Sequence, residues 1–103
     1  MRITLQWIAV IGLFGAAGPV RADFDLAVKK NCLACHQVDK RKYGPNFKEI
    51  AAKYADQKSA GDVLAKKIRR GGTGVWGQDV MPPQPQVSAA EARLLAQYVL
   101  SLK

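Results

Sequence analysis

The chain has 103 residues, two cysteines, one histidine, and 16 basic against 8 acidic side chains, a formal net charge of +8. That length holds one small domain and leaves no room for a separate catalytic one. Two cysteines exclude a disulfide framework, while the basic balance admits nucleic acid, an acidic membrane surface or an acidic protein as partner.

Residues 1–22 read as a secretory signal peptide. Arg2 is a short positive n-region, Trp7 to Ala17 an apolar run, and Val20-Arg21-Ala22 a small-x-small box with the cut after Ala22. The rival reading is an uncleaved anchor. The apolar run is 11 residues, whereas a spanning helix needs about 20, so cleavage is favoured. Residues 23–103 then form the single domain, 81 residues long and formally +6 once Arg2 and Arg21 are gone. Export implies the periplasm, argues against nucleic acid, and leaves no stable membrane insertion after cleavage.

No strand-type alternation runs for any useful length, and helical periodicity dominates, so the fold class is all-α. A short first helix is expected from Phe24 to about Asn31. Phe24, Ala27 and Val28 share a face there, and Lys29 and Lys30 suit the C-terminal end of the dipole. It delivers the chain into Cys32-Leu33-Ala34-Cys35-His36.

This Cys-x-x-Cys-His pattern is the signature of covalent c-type haem attachment. Two thiols at this spacing can add to the two vinyl groups of one haem, and the adjacent imidazole can bind the iron axially. Competing readings are weaker. A structural zinc site wants four protein ligands, and only Cys32, Cys35 and His36 are on offer. A redox dithiol belongs beside a βαβ pattern, and none is visible. A disulfide between Cys32 and Cys35 closes a very short loop and stabilises little. A domain this small often needs a staple, which a covalent haem supplies, so the apoprotein is expected to be poorly stable.

A loop follows over residues 37–45, with Gly44-Pro45 as its turn signal. Asn46 caps the second helix, with Glu49 completing a capping box. Phe47, Ile50, Ala51 and Tyr54 share its inner face, and it ends near Ala55 or Asp56. The third helix starts near Ser59 or Ala60, turns Val63, Leu64, Lys67 and Ile68 inward, and stops at Gly71-Gly72. The irregular stretch from Gly71 to Val87 is long enough to imply a function. Ser88 caps the last helix with Glu91 as its box partner, and Leu94, Leu95, Tyr98, Val99 and Leu102 make its apolar face. That helix should pack on the first and close the fold.

An iron held by His36 has a sixth position. Met81 sits in the long loop as Val80-Met81-Pro82-Pro83, and it is the one methionine left after signal removal. Its thioether is a soft donor that raises the potential, and the prolines fix the backbone after it. The alternative is a core-filling methionine. Its place in a Gly/Pro loop rather than on a helical apolar face favours ligation.

The chain resembles the small bacterial class I cytochromes c of the c-551 type over nearly all of residues 24–103. The resemblance rests on CLACH at 32–36, YGPNF at 43–47, KKIRRG at 66–71, GVWG at 74–77, VMPP at 80–83 and the final helix from SxxE to YVLS. It implies a compact class I fold of about four helices wrapped around one covalent haem c. It implies Cys32 and Cys35 as thioether residues, with His36 and Met81 as proximal and distal iron ligands. The Pro45 carbonyl would accept the proton of the other His36 ring nitrogen, and Lys67 and Trp76 would bond a haem propionate. For Trp76 simple packing is the competing role. The family usually carries Asn three residues after the ligand Met, where this chain has Gln84.

The expectation is a monomeric periplasmic electron carrier, not an enzyme. Its partners would be acidic redox proteins such as a terminal oxidase or nitrite reductase, with a cytochrome donor. Lys40, Arg41, Lys42, Lys66, Lys67, Arg69 and Arg70 would ring the exposed haem edge and speed docking. Two alternatives stand beside this. One is the haem subunit of a larger periplasmic dehydrogenase or reductase complex. The other is a ligand-sensing haem protein with a labile Met81.

Overall fold

The computed structural model describes residues 19–102. The apolar run Trp7 to Ala17 lies outside them. Four helices and a short 3-10 turn follow in order: α1 (Pro19–Lys29), the turn Cys32–Ala34, α2 (Phe47–Tyr54), α3 (Ala60–Arg70) and α4 (Ala89–Leu100). The described residues contain no strand, only one isolated antiparallel bridge between Gly72 and Met81. No helix among them is long and apolar enough to cross a membrane.

Local chemistry sets most boundaries. α1 already runs from Pro19, the first described residue, five residues before the expected Phe24. The expected cleavage point after Ala22 falls inside this helix. Asn31 then turns the chain with φ 69°, a left-handed conformation that Asn tolerates better than most side chains. Asn46 and Ser88 both form complete capping boxes. The Glu49 N–H donates to Asn46 Oδ1 at 2.7 Å, and the Asn46 N–H donates back to Glu49 Oε2 at 3.0 Å. The corresponding bonds, Glu91 N–H to Ser88 Oγ and Ser88 N–H to Glu91 Oε1, are 3.1 and 3.0 Å. Ser59 makes no side-chain cap, so α3 starts without one.

α4 packs on α1, α2 and α3. Its inner stripe is small: Ala92 and Ala96 are fully buried one turn apart, in the same cluster as Ala27 of α1 and Leu64 and Ala65 of α3. Small side chains there let the helix axes come close. A second cluster joins Phe47 of α2 to Tyr98 and Val99 of α4. Two expected inner positions are instead on the surface. Val28 is 50% and Leu94 44% exposed, because each lies at the edge of its apolar stripe and no neighbouring helix reaches it.

Among the described residues, Val87 is the one large side chain that is fully buried. Other bulky apolar residues, among them Phe47, Ile50, Leu64, Leu95 and Val99, line a cavity in the middle of the domain.

Candidate haem site

The cavity has a volume of about 430 Å³. Cys32, Cys35, His36, Pro45, Lys67, Trp76 and Met81, the residues singled out from the sequence, all line it. Its walls are mostly apolar, built from Phe47 and Ile50 of α2, Leu64 and Ile68 of α3, and Leu95 and Val99 of α4. The four helices thus leave their middle open to one apolar group with polar and sulfur donors at its edges.

On one wall the 3-10 turn and the two residues after it carry both cysteines and His36. The cysteines are free thiols, Cys32 partly buried and Cys35 exposed. Burial pushes the Cys32 thiol up, against the lowering effect of a backbone hydrogen bond. A redox dithiol needs a depressed thiol, so the environment opposes that reading. His36 Nδ1 lies 2.7 Å from the Pro45 carbonyl. A carbonyl only accepts, so Nδ1 carries the proton and the other ring nitrogen keeps its lone pair for a metal. Phe47 stacks on the imidazole at 5.6 Å between centroids. Gly44 lies against the ring: a Cβ there would come within 2.6 Å of Cε1 and 2.9 Å of Nδ1. The sequence signals a turn at Gly44 but gives no sign of this close approach.

Met81, elsewhere in the lining of the same cavity, is pinned by main chain. Its N–H donates to Gly72 O at 2.9 Å, and the Gly72 N–H donates to Met81 O at 3.0 Å. Gly71 closes α3 with its N–H on Lys67 O at 2.8 Å and φ 74°. A side chain at Gly71 would run into the Met81 carbonyl and the Pro82 and Pro83 backbone. Gln84 lines the cavity too, and its amide is engaged with its own segment: Nε2 donates to Pro82 O at 3.0 Å and Oε1 accepts from Gln86 at 2.6 Å.

Trp76 and Lys67 stand at the cavity rim, half-buried. Arg41 donates to the Trp76 carbonyl at 3.1 Å, and Lys53 Nζ lies 5.4 Å from the centre of the indole ring. Arg41 therefore straps the loop after His36 to the loop before Met81, across 35 residues of sequence. Among the basic residues expected to ring the mouth, Arg41 and Lys67 line it, whereas Lys66, Arg69 and Arg70 line a separate cleft with Arg93 and Asp62. One helix displays side chains all round, so Lys66 and Lys67 point to different surfaces. Tyr54 and Tyr98 are buried, and burial raises the Tyr98 phenol. Tyr43 is 69% exposed at the cavity mouth, with exposed Val75 and Val80.

The Cytochrome c family model matches residues 24–103. Cytochrome c-552 of Nitrosomonas europaea is 52% identical over 100 residues, which cover 92% of this chain and 97% of that one. Cytochrome c-552 of Hydrogenobacter thermophilus is 50% identical over 96 residues, covering 93% and 94%. Among solved structures, the crystal structure of wild-type Nitrosomonas europaea cytochrome c552 superposes with a TM-score of 0.77 at 55% identity, over 78% of this chain and 99% of that one.

Proposed function

Because the chain belongs to the cytochrome c family, as a small class I electron carrier rather than an enzyme, we propose that it shuttles single electrons in the periplasm with His36 and Met81 as its axial ligands. The covalent haem c of this family supplies a one-electron iron couple. In this reading Cys32 and Cys35 form the two thioethers, which hold the macrocycle without consuming either axial position. His36, oriented and made more basic by its bond to Pro45, supplies the proximal nitrogen. Met81 supplies the distal sulfur, held by the Gly72 bridge. Lys67 and Trp76 neutralise and bond a propionate at the rim. The apolar walls exclude water, which keeps reorganisation small when charge changes.

The observation that supports the proposal is the 2.7 Å bond from His36 Nδ1 to Pro45 O, which leaves the other ring nitrogen free for a metal in a cavity whose lining also includes Met81. The Met81→Ala holoprotein tests it. Its ferric spectrum should lose the weak long-wavelength sulfur-to-iron band. Its potential should fall by on the order of a few tenths of a volt, within the ~0.8 V range that axial ligands set. An unchanged spectrum and potential would remove Met81 from the ligand set.

Residues 1–22 are proposed to be removed on export, which an N-terminus at Asp23 in the purified protein would establish. The monomer is proposed to dock at the cavity mouth. Exposed Tyr43, Val75 and Val80 offer a small apolar contact there, flanked by Arg41 and Lys67. Such a patch suits a transient complex with an acidic redox protein, such as a terminal oxidase or nitrite reductase, or with a cytochrome donor.

A further inference from the structure

The segment that follows Met81 is poor in main-chain donors, because Pro82, Pro83 and Pro85 have no N–H. Its backbone makes a 3.3 Å bond from Gln84 N to Arg69 O and a 3.1 Å bond from Val87 N to Gln84 O. Two side chains add what the prolines cannot. Gln84 Nε2 donates to Pro82 O at 3.0 Å, and Gln84 Oε1 accepts from Gln86 Nε2 at 2.6 Å. Gln86 Nε2 also donates to Lys30 O at 3.2 Å, just past the end of α1. Lys30 returns the contact, with Nζ 3.0 Å from Gln86 O and 3.2 Å from Glu91 Oε2. Each amide orientation is dictated by its partners, since Pro82 O and Lys30 O can only accept.

We propose that Gln84 and Gln86 are positioning residues for Met81, forming a side-chain clamp that ties the main chain beside it to the ends of α1 and α4. The frame at the far end is rigid. Glu91 closes the α4 capping box, and Val87 and Ala92 are buried beside it. The clamp thus ties the Pro82 carbonyl, through Gln84 and Gln86, to Lys30 at the end of α1, 56 residues before Gln86. Gln84, in the position where an Asn is usual, is used to hold the backbone of the loop. The role rests on the reading of Met81 as iron ligand: the clamp limits how often the loop swings and lifts the sulfur from the iron.

The test uses ferric holoprotein with Gln84→Ala, Gln86→Ala and the wild type. Imidazole entry into the sixth position is followed at saturating imidazole, and amide hydrogen exchange is measured on the same samples. Entry should speed up about tenfold in each variant, the combined weight of two exposed hydrogen bonds. The Gly72 and Met81 amides should exchange faster, while Gly44 and Phe47 amides on the His36 side keep wild-type protection. Wild-type entry rates in both variants would overturn the clamp. So would equal loss of protection on both sides, which marks a general structural role. A wild-type protein without the long-wavelength sulfur band would instead refute ligation by Met81. Exchange at Met81 would then still decide the clamp: no change in the variants rejects it.

Discussion

His36 and Met81 line one cavity, but the chain holds them in different ways. The segment around His36 is sewn by main chain at nearly every step. His36 N bonds Cys32 O at 3.0 Å, Gly44 N bonds Cys35 O at 2.9 Å, Phe47 N bonds Gln37 O at 2.8 Å and Lys48 N bonds Val38 O at 3.2 Å. The ring itself is gripped by Pro45 and Phe47. Around Met81 the two Gly72 bonds are followed by prolines, and the rest depends on side chains at the surface, half-buried Gln84 and exposed Gln86 and Arg41. A ligand set by backbone moves only if the fold moves. A ligand set by a few staples on a loop can leave alone, at the cost of a local opening. In the proposed ligation, the Met81 side is therefore the one expected to open first.

Two glycines give the sharpest way to separate the sides, since each lies where a wall passes too close for a Cβ. Gly71→Ala should have the larger effect. It places a side chain at φ 74°, ψ −173°, a region left almost wholly to glycine, at a cost of about 1–3 kcal/mol. It also forces the new methyl against the Met81 carbonyl, adding about 1–3 kcal/mol of overpacking. Because the distal loop has few other bonds, the strain should be relieved by its release. Loss of the long-wavelength ferric band in a protein whose helical circular dichroism is retained would be the signature. A variant that keeps the band and loses only global stability would show the two sides to be one cooperative unit.

Gly44→Ala should cost about 1–3 kcal/mol, by overpacking alone. Its Cβ would press on the His36 ring at 2.6 Å, and the ring is tethered to Pro45 and flanked by Phe47. No small loop can swing away, so the strain should stay distributed. Denaturant titration should show lower stability, and proton NMR should show a displaced Nδ1–H resonance, while iron ligation persists. Detachment of His36 at wild-type global stability would contradict the contrast drawn between the walls.

What the sequence revealed was the chemistry that acts over a few residues. Cys32 to His36, both capping boxes, the stop at Gly71 and the irregular segment carrying Met81 follow from contacts within about one turn. What it hid depends on elements meeting across the fold. Val28 and Leu94 fit the helical period, but exposure at the edge of a stripe is decided by which neighbour arrives. Lys66 and Lys67 look alike in the sequence and open onto different surfaces. Gly44 reads as a turn residue, yet the imidazole beside it is what forbids a side chain. Arg41 on Trp76 and Gln86 on Lys30 are 35 and 56 residues apart, and neither pairing has a local signal.

Acid offers the gentlest probe of the same contrast, because Glu91 joins the distal clamp to α4. The Ser88 backbone N–H holds the Glu91 carboxyl below the ordinary glutamate range, and Lys30 adds to this. A carboxyl lowered on folding contributes stability that is complete above its unfolded value, about 4.3. That contribution is lost as pH falls through the lower folded value. Stability attributable to Glu91 should thus be flat from neutrality to about pH 5 and decline below it. The Glu91→Gln variant should lack that part of the acid slope. The difference between the two stability curves isolates Glu91 from every other carboxylate, and amide exchange on both proteins says where the loss falls. Protonated Glu91 loosens Lys30, so Met81 and Gly72 should lose protection before Gly44 and Phe47 do. A difference curve that stays flat to pH 3 would remove Glu91 from the acid response, and an earlier loss at Gly44 would mean that the weak wall of the cavity is the one that carries His36.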